Sequence, residues 1–302
     1  AGTLVEIARH TLPDEFRHID SRRARIRLVE GADRVLGAFD AASSESARRQ
    51  LLRLAPALQL SLRGAVCLYQ GEELGMSNVA FEHIEDYRDI ESLNFYRVAT
   101  GERGWTPAEA LAAIHTKGRD NARTPMQWDG SAQAGFSSGQ PWIGLNPNAA
   151  WVNAEQALAD PESVFHYYRA LIALRQHCPV LVHGRHELLL PEHPQVYAYT
   201  RRLGDECLLV LCNFGATEIA ASLPPALSTR RAERLLGNYP GSSQPDLAGL
   251  SLRPYEALLC WLRCLLFRGF EYEQVTKGHG QLREALINQG RIDESCNLFR
   301  RH

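Results

Sequence analysis

Gly64-Ala65-Val66-Cys67-Leu68-Tyr69-Gln70-Gly71-Glu72-Glu73-Leu74-Gly75 is the stretch on which the fold turns. Residues 65–69 are a short apolar run between a glycine and a polar, glycine-rich segment. A run of that length without alternation predicts a strand buried on both faces, as in a parallel sheet. Just upstream, Leu51, Leu52, Leu54, Leu58 and Leu60 recur on a mainly helical period, and Gly64 stops the helix. Pro56 lies inside that helix and predicts a kink or an early end, because proline lacks the N–H that the turn needs. Helix, glycine turn, buried strand and polar loop together make one unit of an α/β fold.

Working outward, residues 78–94 read as irregular and charged, and a helix is expected near residues 107–114. The segment 116–150 is long for a loop in a compact domain; such loops carry function or are disordered. Trp128, Phe136, Trp142 and Trp151, in and beside it, argue for order. Asp160-Pro161-Glu162-Ser163 reads as a helix start, with Asp160 as cap and Pro161 at the first helical position. Val164, Phe165, Tyr168, Leu171, Ile172 and Leu174 then supply a buried face, which Cys178-Pro179 closes.

Beyond Leu181 the period changes to two. Residues 196–200 alternate, Gly204-Asp205 turns, and residues 207–212 return, the signature of a β-hairpin. Short runs at 219–223, 232–236 and 257–262 complete a small antiparallel β-module. The expected organisation is therefore an atypical segment at 1–45, an α/β part at 46–183, a β-domain at 184–262 and a helical or disordered tail at 263–302.

A chain of 302 residues has room for two cores, or for one large α/β unit plus a small module. Its 45% hydrophobic and 23% charged residues suit a soluble globular protein. With 33 basic against 35 acidic residues, no electrostatic footprint for nucleic acid is present. No run of 18 apolar residues and no signal peptide are seen, so no membrane partner is expected. Cysteines at 67, 178, 207, 212, 260, 264 and 296 form no Cys-x-x-Cys pair, which suits a reducing cytoplasm better than disulfides or a metal centre. The first residue is Ala1 rather than methionine, as expected of a start inside a longer reading frame.

Two blocks carry chemistry. Gln70, Glu72 and Glu73 follow the expected strand, and in a (β/α)8 barrel the loops at such strand ends meet the ligand. Either carboxylate can equally cap a helix or pair with an arginine, and neither has an evident second acid. The other block is Gly118-Arg119-Asp120-Asn121-Ala122-Arg123-Thr124-Pro125-Met126-Gln127-Trp128-Asp129. A guanidinium grips a carboxylate or sugar hydroxyls with a fixed fork, and an indole stacks on a pyranose ring. Arg119 can as well serve to tie the loop to a carboxylate of the barrel.

Residues 69–78, Tyr87-Arg88-Asp89-Ile90-Glu91-Ser92-Leu93-Asn94 and residues 118–129 resemble the α-amylase family of glycoside hydrolases. Within it they are most similar to the oligo-1,6-glucosidase, α-glucosidase and trehalose-6-phosphate hydrolase branch. The likeness continues through Ala134-Gly135-Phe136, Gln140-Pro141-Trp142-Ile143, Asn146-Pro147-Asn148 and Leu252-Arg253-Pro254-Tyr255-Glu256-Ala257, collinear from about residue 47 to 262. It implies that residues 65–69 are the last strand of a partial (β/α)8 barrel, that residues 164–177 are its last helix, and that a small antiparallel β-sandwich follows. It also implies release of terminal α-linked glucose from a small oligosaccharide or disaccharide. Arg119, or failing it Arg123, would clamp the terminal glucose opposite an aspartate of an early barrel strand. No cofactor is implied; in relatives a calcium ion belongs to loops of the amino-terminal half.

The chain departs from the family where catalysis resides. Relatives use a retaining mechanism with two carboxyl groups about 5–5.5 Å apart, and these acids come from strands that precede the last one. The family's Asn-His-Asp tripeptide occurs nowhere here, and His18-Ile19-Asp20 does not replace it. A frame slip or a truncated gene accounts for such a switch. No catalytic residue is therefore assigned. The expected function is that of the carboxy-terminal part of an oligo-1,6-glucosidase-like enzyme. Trehalose-6-phosphate hydrolysis is one alternative, and a catalytically dead remnant or carbohydrate-binding scaffold is the other.

Overall fold

The computed structural model describes residues 41–263. Expectations for residues 1–40 and 264–302 lie outside the described residues. The helices are α1 (Ala41–Ser61), α2 (Ile90–Gly101), α3 (Pro107–Lys117), α4 (Ala154–Ala159), α5 (Val164–His177), α6 (Pro179–His183) and α7 (Pro225–Ser228). The strands are β1 (Arg185–Leu189), β2 (Val196–Leu203), β3 (Glu206–Asn213), β4 (Ile219–Ala220), β5 (Arg231–Gly237), β6 (Ser251–Leu252) and β7 (Ala257–Arg263). Helices and strands divide into two compact units, one of residues 68–160 and the other of residues 41–67 with 161–263.

The second unit is built on a five-stranded antiparallel sheet of order β1-β2-β3-β7-β5, with β4 paired to β6 in a separate ribbon. The β2–β3 hairpin pairs Val196 with Asn213 through to Leu203 with Glu206, and Gly204 supplies the positive φ of 58° at its turn. Because successive side chains point to opposite faces, the central strands feed two apolar clusters. Leu208, Val210, Cys212, Tyr199 and Leu259 join Leu54, Leu58, Leu171 and Leu174 of the helices. Leu209, Leu211, Ala198 and Cys260 join Leu223, Leu227, Leu247 and Leu252 on the other side. The antiparallel module expected from the sequence is present, with only two short strands in its second layer.

Three expectations are corrected here. α1 does not end at Pro56, which is buried inside it. The proline removes one intrahelical bond, while Leu54, Ala57, Leu58 and Leu60 stay packed in the cluster on both sides of it. The cap of α5 is Ser163, whose Oγ accepts from the His166 N–H at 3.4 Å, rather than Asp160. Residues 65–69 are not a buried strand: they form no ladder, and Ala65, Cys67, Leu68 and Tyr69 are exposed. A parallel strand needs a neighbouring strand to pair with, and residues 65–69 have none among the described residues.

The unit of residues 68–160 is held differently. Neither apolar cluster contains any of its residues. Short helices are set by their caps: Asp89 caps α2, and Thr106 with Glu109 closes a capping box on α3 behind Pro107. α2 begins in the stretch that read as irregular and runs beyond it, and the Asp89 cap was the signal for it. Side-chain amides knit the long segment. Asn146 Nδ2 donates to the Ser77 carbonyl at 2.9 Å and Asn78 Nδ2 to the His115 carbonyl at 2.9 Å. Gln127 Nε2 donates to Asn148 Oδ1 at 3.0 Å and to the Val152 carbonyl. The aromatics expected to order this segment are not its core: Trp128, Phe136, Trp142 and Trp151 are all exposed, the last by 67%.

Candidate functional site

Gly118 ends α3 at a close approach, since a Cβ there would lie 2.8 Å from the Ile114 carbonyl oxygen. The chain then enters a tight turn, Arg119–Ala122, that places two arginines and Asp120 beside the start of α2. Asp120 is fully buried. Its Oδ2 accepts the backbone N–H groups of Arg88 at 2.6 Å and Asp89 at 2.8 Å, and its Oδ1 accepts from Arg123 Nη1 at 3.2 Å. This fixes the peptide just before the α2 cap. The two blocks singled out in the sequence also meet, as the Tyr69 hydroxyl donates to the Ala122 carbonyl at 2.7 Å.

Arg119 grips Asp89 Oδ1 with Nε at 3.1 Å and Nη2 at 2.9 Å, and the same Nη2 reaches Glu91 Oε2 at 3.0 Å. Arg123 Nη1 lies 3.6 Å from Asp89 Oδ1. The remaining Asp89 oxygen accepts from the Ser92 N–H at 3.3 Å and Ser92 Oγ at 3.0 Å. Asp89 is 3% exposed, whereas the Arg119 and Arg123 side chains are 54% and 40% exposed. The arrangement is thus a buried carboxylate holding two guanidiniums that still face solvent.

Burial alone would raise the Asp89 carboxyl, but the bonds from Ser92 and Arg119 together outweigh it and hold the group below its usual range. A depressed folded-state pKa adds stability above the unfolded value, and that stability is lost as pH falls through the folded value. The free-energy gap between wild type and Asp89→Asn should therefore be full near neutrality and shrink below about pH 4. Urea unfolding followed between pH 3 and 7 checks this; a gap independent of pH would contradict it.

Arg119 and Arg123 both lie against Asp89; Arg119 also pairs with Glu91 and Arg123 with Asp120, acids to which the sequence alone gave no role. Glu72 and Glu73 sit in the short turn Glu72–Leu74. Among the described residues no group of three or more His, Cys, Asp or Glu could hold a metal ion, and no helix is long and apolar enough to cross a membrane.

Residues 30–184 match the family described as Alpha amylase, catalytic domain. The chain belongs to the α-amylase family. Residues 186–259 match Maltogenic Amylase, C-terminal domain, so the family boundary falls where the period changes to two. The oligo-1,6-glucosidase of Parageobacillus thermoglucosidasius is 47% identical over 202 residues, covering 67% of this chain and 36% of that protein. The trehalose-6-phosphate hydrolase of Bacillus subtilis (strain 168) is 41% identical over 208 residues, covering 68% and 36%. Among solved structures, the trehalose-6-phosphate hydrolase of Bacillus licheniformis superposes with a TM-score of 0.66 at 37% identity, covering 72% of this chain and 39% of that one. Isomaltulose synthase from Klebsiella sp. LX3 gives 0.66 at 35% identity, covering 72% and 38%. The chain spans little more than a third of the length of the curated relatives it matches, 36% of the two just named.

Proposed function

We propose that the chain supplies the carboxy-terminal part of an oligo-1,6-glucosidase, an enzyme that releases terminal α-linked glucose from short oligosaccharides with retention. In this reading the chain forms the end of a (β/α)8 barrel, and residues 65–69 become its last strand when the neighbouring strands are present. Arg119 and Arg123 hold hydroxyls of the terminal glucose, and the enzyme is cytoplasmic. The observation that carries the reading is the 47% identity with an oligo-1,6-glucosidase across the segment that contains the arginine cluster.

The acids of the cluster suit binding rather than cleavage. A general acid for glycosyl transfer needs a raised pKa, and Asp89 is held below its usual range. The carboxyl groups that break the bond therefore come from barrel strands outside this sequence. By itself the chain should not turn over p-nitrophenyl α-glucoside. Exchanging residues 47–262 into the Parageobacillus thermoglucosidasius enzyme should give a protein that hydrolyses isomaltose. Exclusive cleavage of trehalose 6-phosphate by that chimera would favour the second reading, to which the 41% identity with a trehalose-6-phosphate hydrolase lends support. Robust turnover by the chain alone, abolished by Glu72→Gln or Glu73→Gln, would overturn the assignment of the acids.

A further inference from the structure

A cavity of about 860 Å3 opens in the sheet-containing unit, between the first half of α1, the start of α5 and the end of β5. Arg49, Arg53 and Arg234 line it, and Glu162 is the one carboxylate among the described residues of its walls. Arg53 is 7% exposed. Its Nη1 donates to the Asn238 carbonyl at 3.2 Å and its Nη2 to the Glu162 carbonyl, with Glu162 Oε2 at 3.5 Å, but its Nε has no partner. Tyr167, 8% exposed, lines the same wall with a hydroxyl that bonds to nothing, and Gln50, also 8% exposed, has an unpartnered Oε1. Arg49 and Arg234 form no ion pair among the described residues. Three buried side-chain polar atoms without partners around one cavity, Arg53 Nε, Tyr167 OH and Gln50 Oε1, are unusual, because such atoms are satisfied in native proteins by protein, water or ligand.

We propose that this cavity binds a phosphate group, either free or as a monoester. Guanidiniums favour that ligand for its charge and planar, bidentate geometry. The first turn of the 14-residue helix α5, capped by Ser163, faces the same space and adds the positive end of its dipole. Burial raises the pKa of the Tyr167 hydroxyl, which keeps it protonated as a donor. A half-turn of the Gln50 amide exchanges its Oε1 for the Nε2 donor, completing a set of donors with one sign. The volume exceeds what a bare phosphate fills, which leaves room for an organic substituent.

Calorimetric titration of the 302-residue chain with inorganic phosphate and with glucose 6-phosphate, at constant ionic strength and with glucose as control, tests this. A single saturable site is expected, and Arg49→Gln and Arg234→Gln should each weaken it by roughly tenfold. Tyr167→Phe should weaken it several-fold while leaving the unliganded melting temperature unchanged or higher, since it removes an unpartnered hydroxyl. Arg231→Gln, on β5 but bonded to Gln244, is the charge-matched control and should change nothing. Equal affinity for the two ligands identifies the free anion as the occupant; a much tighter glucose 6-phosphate identifies an ester. No saturable binding of either, binding that survives both arginine variants, or equal binding of glucose would overturn the proposal.

Discussion

Asp120→Ala should cost the unit of residues 68–160 several kcal/mol, about 1–3 kcal/mol for each backbone N–H group left without its acceptor. The side chain is wholly buried, and its two oxygens accept two backbone N–H groups and one guanidinium. Deletion would strand the amides of Arg88 and Asp89, and with them the α2 cap and the seat of Arg119. Stabilities of whole domains are only about 5–15 kcal/mol, so a loss of that size leaves the unit little margin. Asp120→Asn keeps the volume and one acceptor and should cost less, about 1–2 kcal/mol. Amide hydrogen exchange on the full chain is the right measurement, because two units need not unfold together. Protection at Arg88 and Asp89 should collapse in Asp120→Ala while β3 and β7 stay protected. Unchanged protection at those two amides would refute the role given to Asp120.

How much of this was legible in the sequence follows the range of the forces involved. The β2–β3 hairpin was readable because its period and its Gly204 turn are local, and the helix at Pro107–Lys117 because its caps are local. Residues 65–69 misled because an apolar run states a preference for burial without supplying the neighbours that bury it. Pro56 misled in the opposite sense, since packing of α1 against the sheet and α5 overrides the local break. The site was half legible. Arg119 and Arg123 stand out by composition and spacing, yet their partner Asp89 is 30 residues from Arg119 in sequence, and no periodicity links the two. The arginine-lined cavity left no sequence signal, because its walls come from residues 46–53, 161–170 and 234–240.

Arg119→Ala, made in the chimera with the Parageobacillus thermoglucosidasius enzyme, should lower kcat/KM for isomaltose by about 10²–10³-fold, equivalent to roughly 3–4 kcal/mol. A guanidinium bonded to sugar hydroxyls contributes more than a neutral donor would, while Asp89 keeps its bonds from Ser92 and the nearby Arg123 when Arg119 is removed. Thermal stability should change far less, because the Arg119 side chain is 54% exposed and ion pairs of that kind are worth about 0–1 kcal/mol. That separation of activity from stability distinguishes a sugar clamp from a loop tie, which is the alternative its bonds to Asp89 and Glu91 would also permit. Arg119→Lys sharpens the contrast. An ammonium can satisfy Asp89 as a point charge but cannot present the planar fork, so it should restore stability while recovering only part of the lost rate. The opposite pattern, with near-normal kcat/KM and a lowered melting temperature in Arg119→Ala, would make the residue a structural strut and leave substrate contact to Arg123.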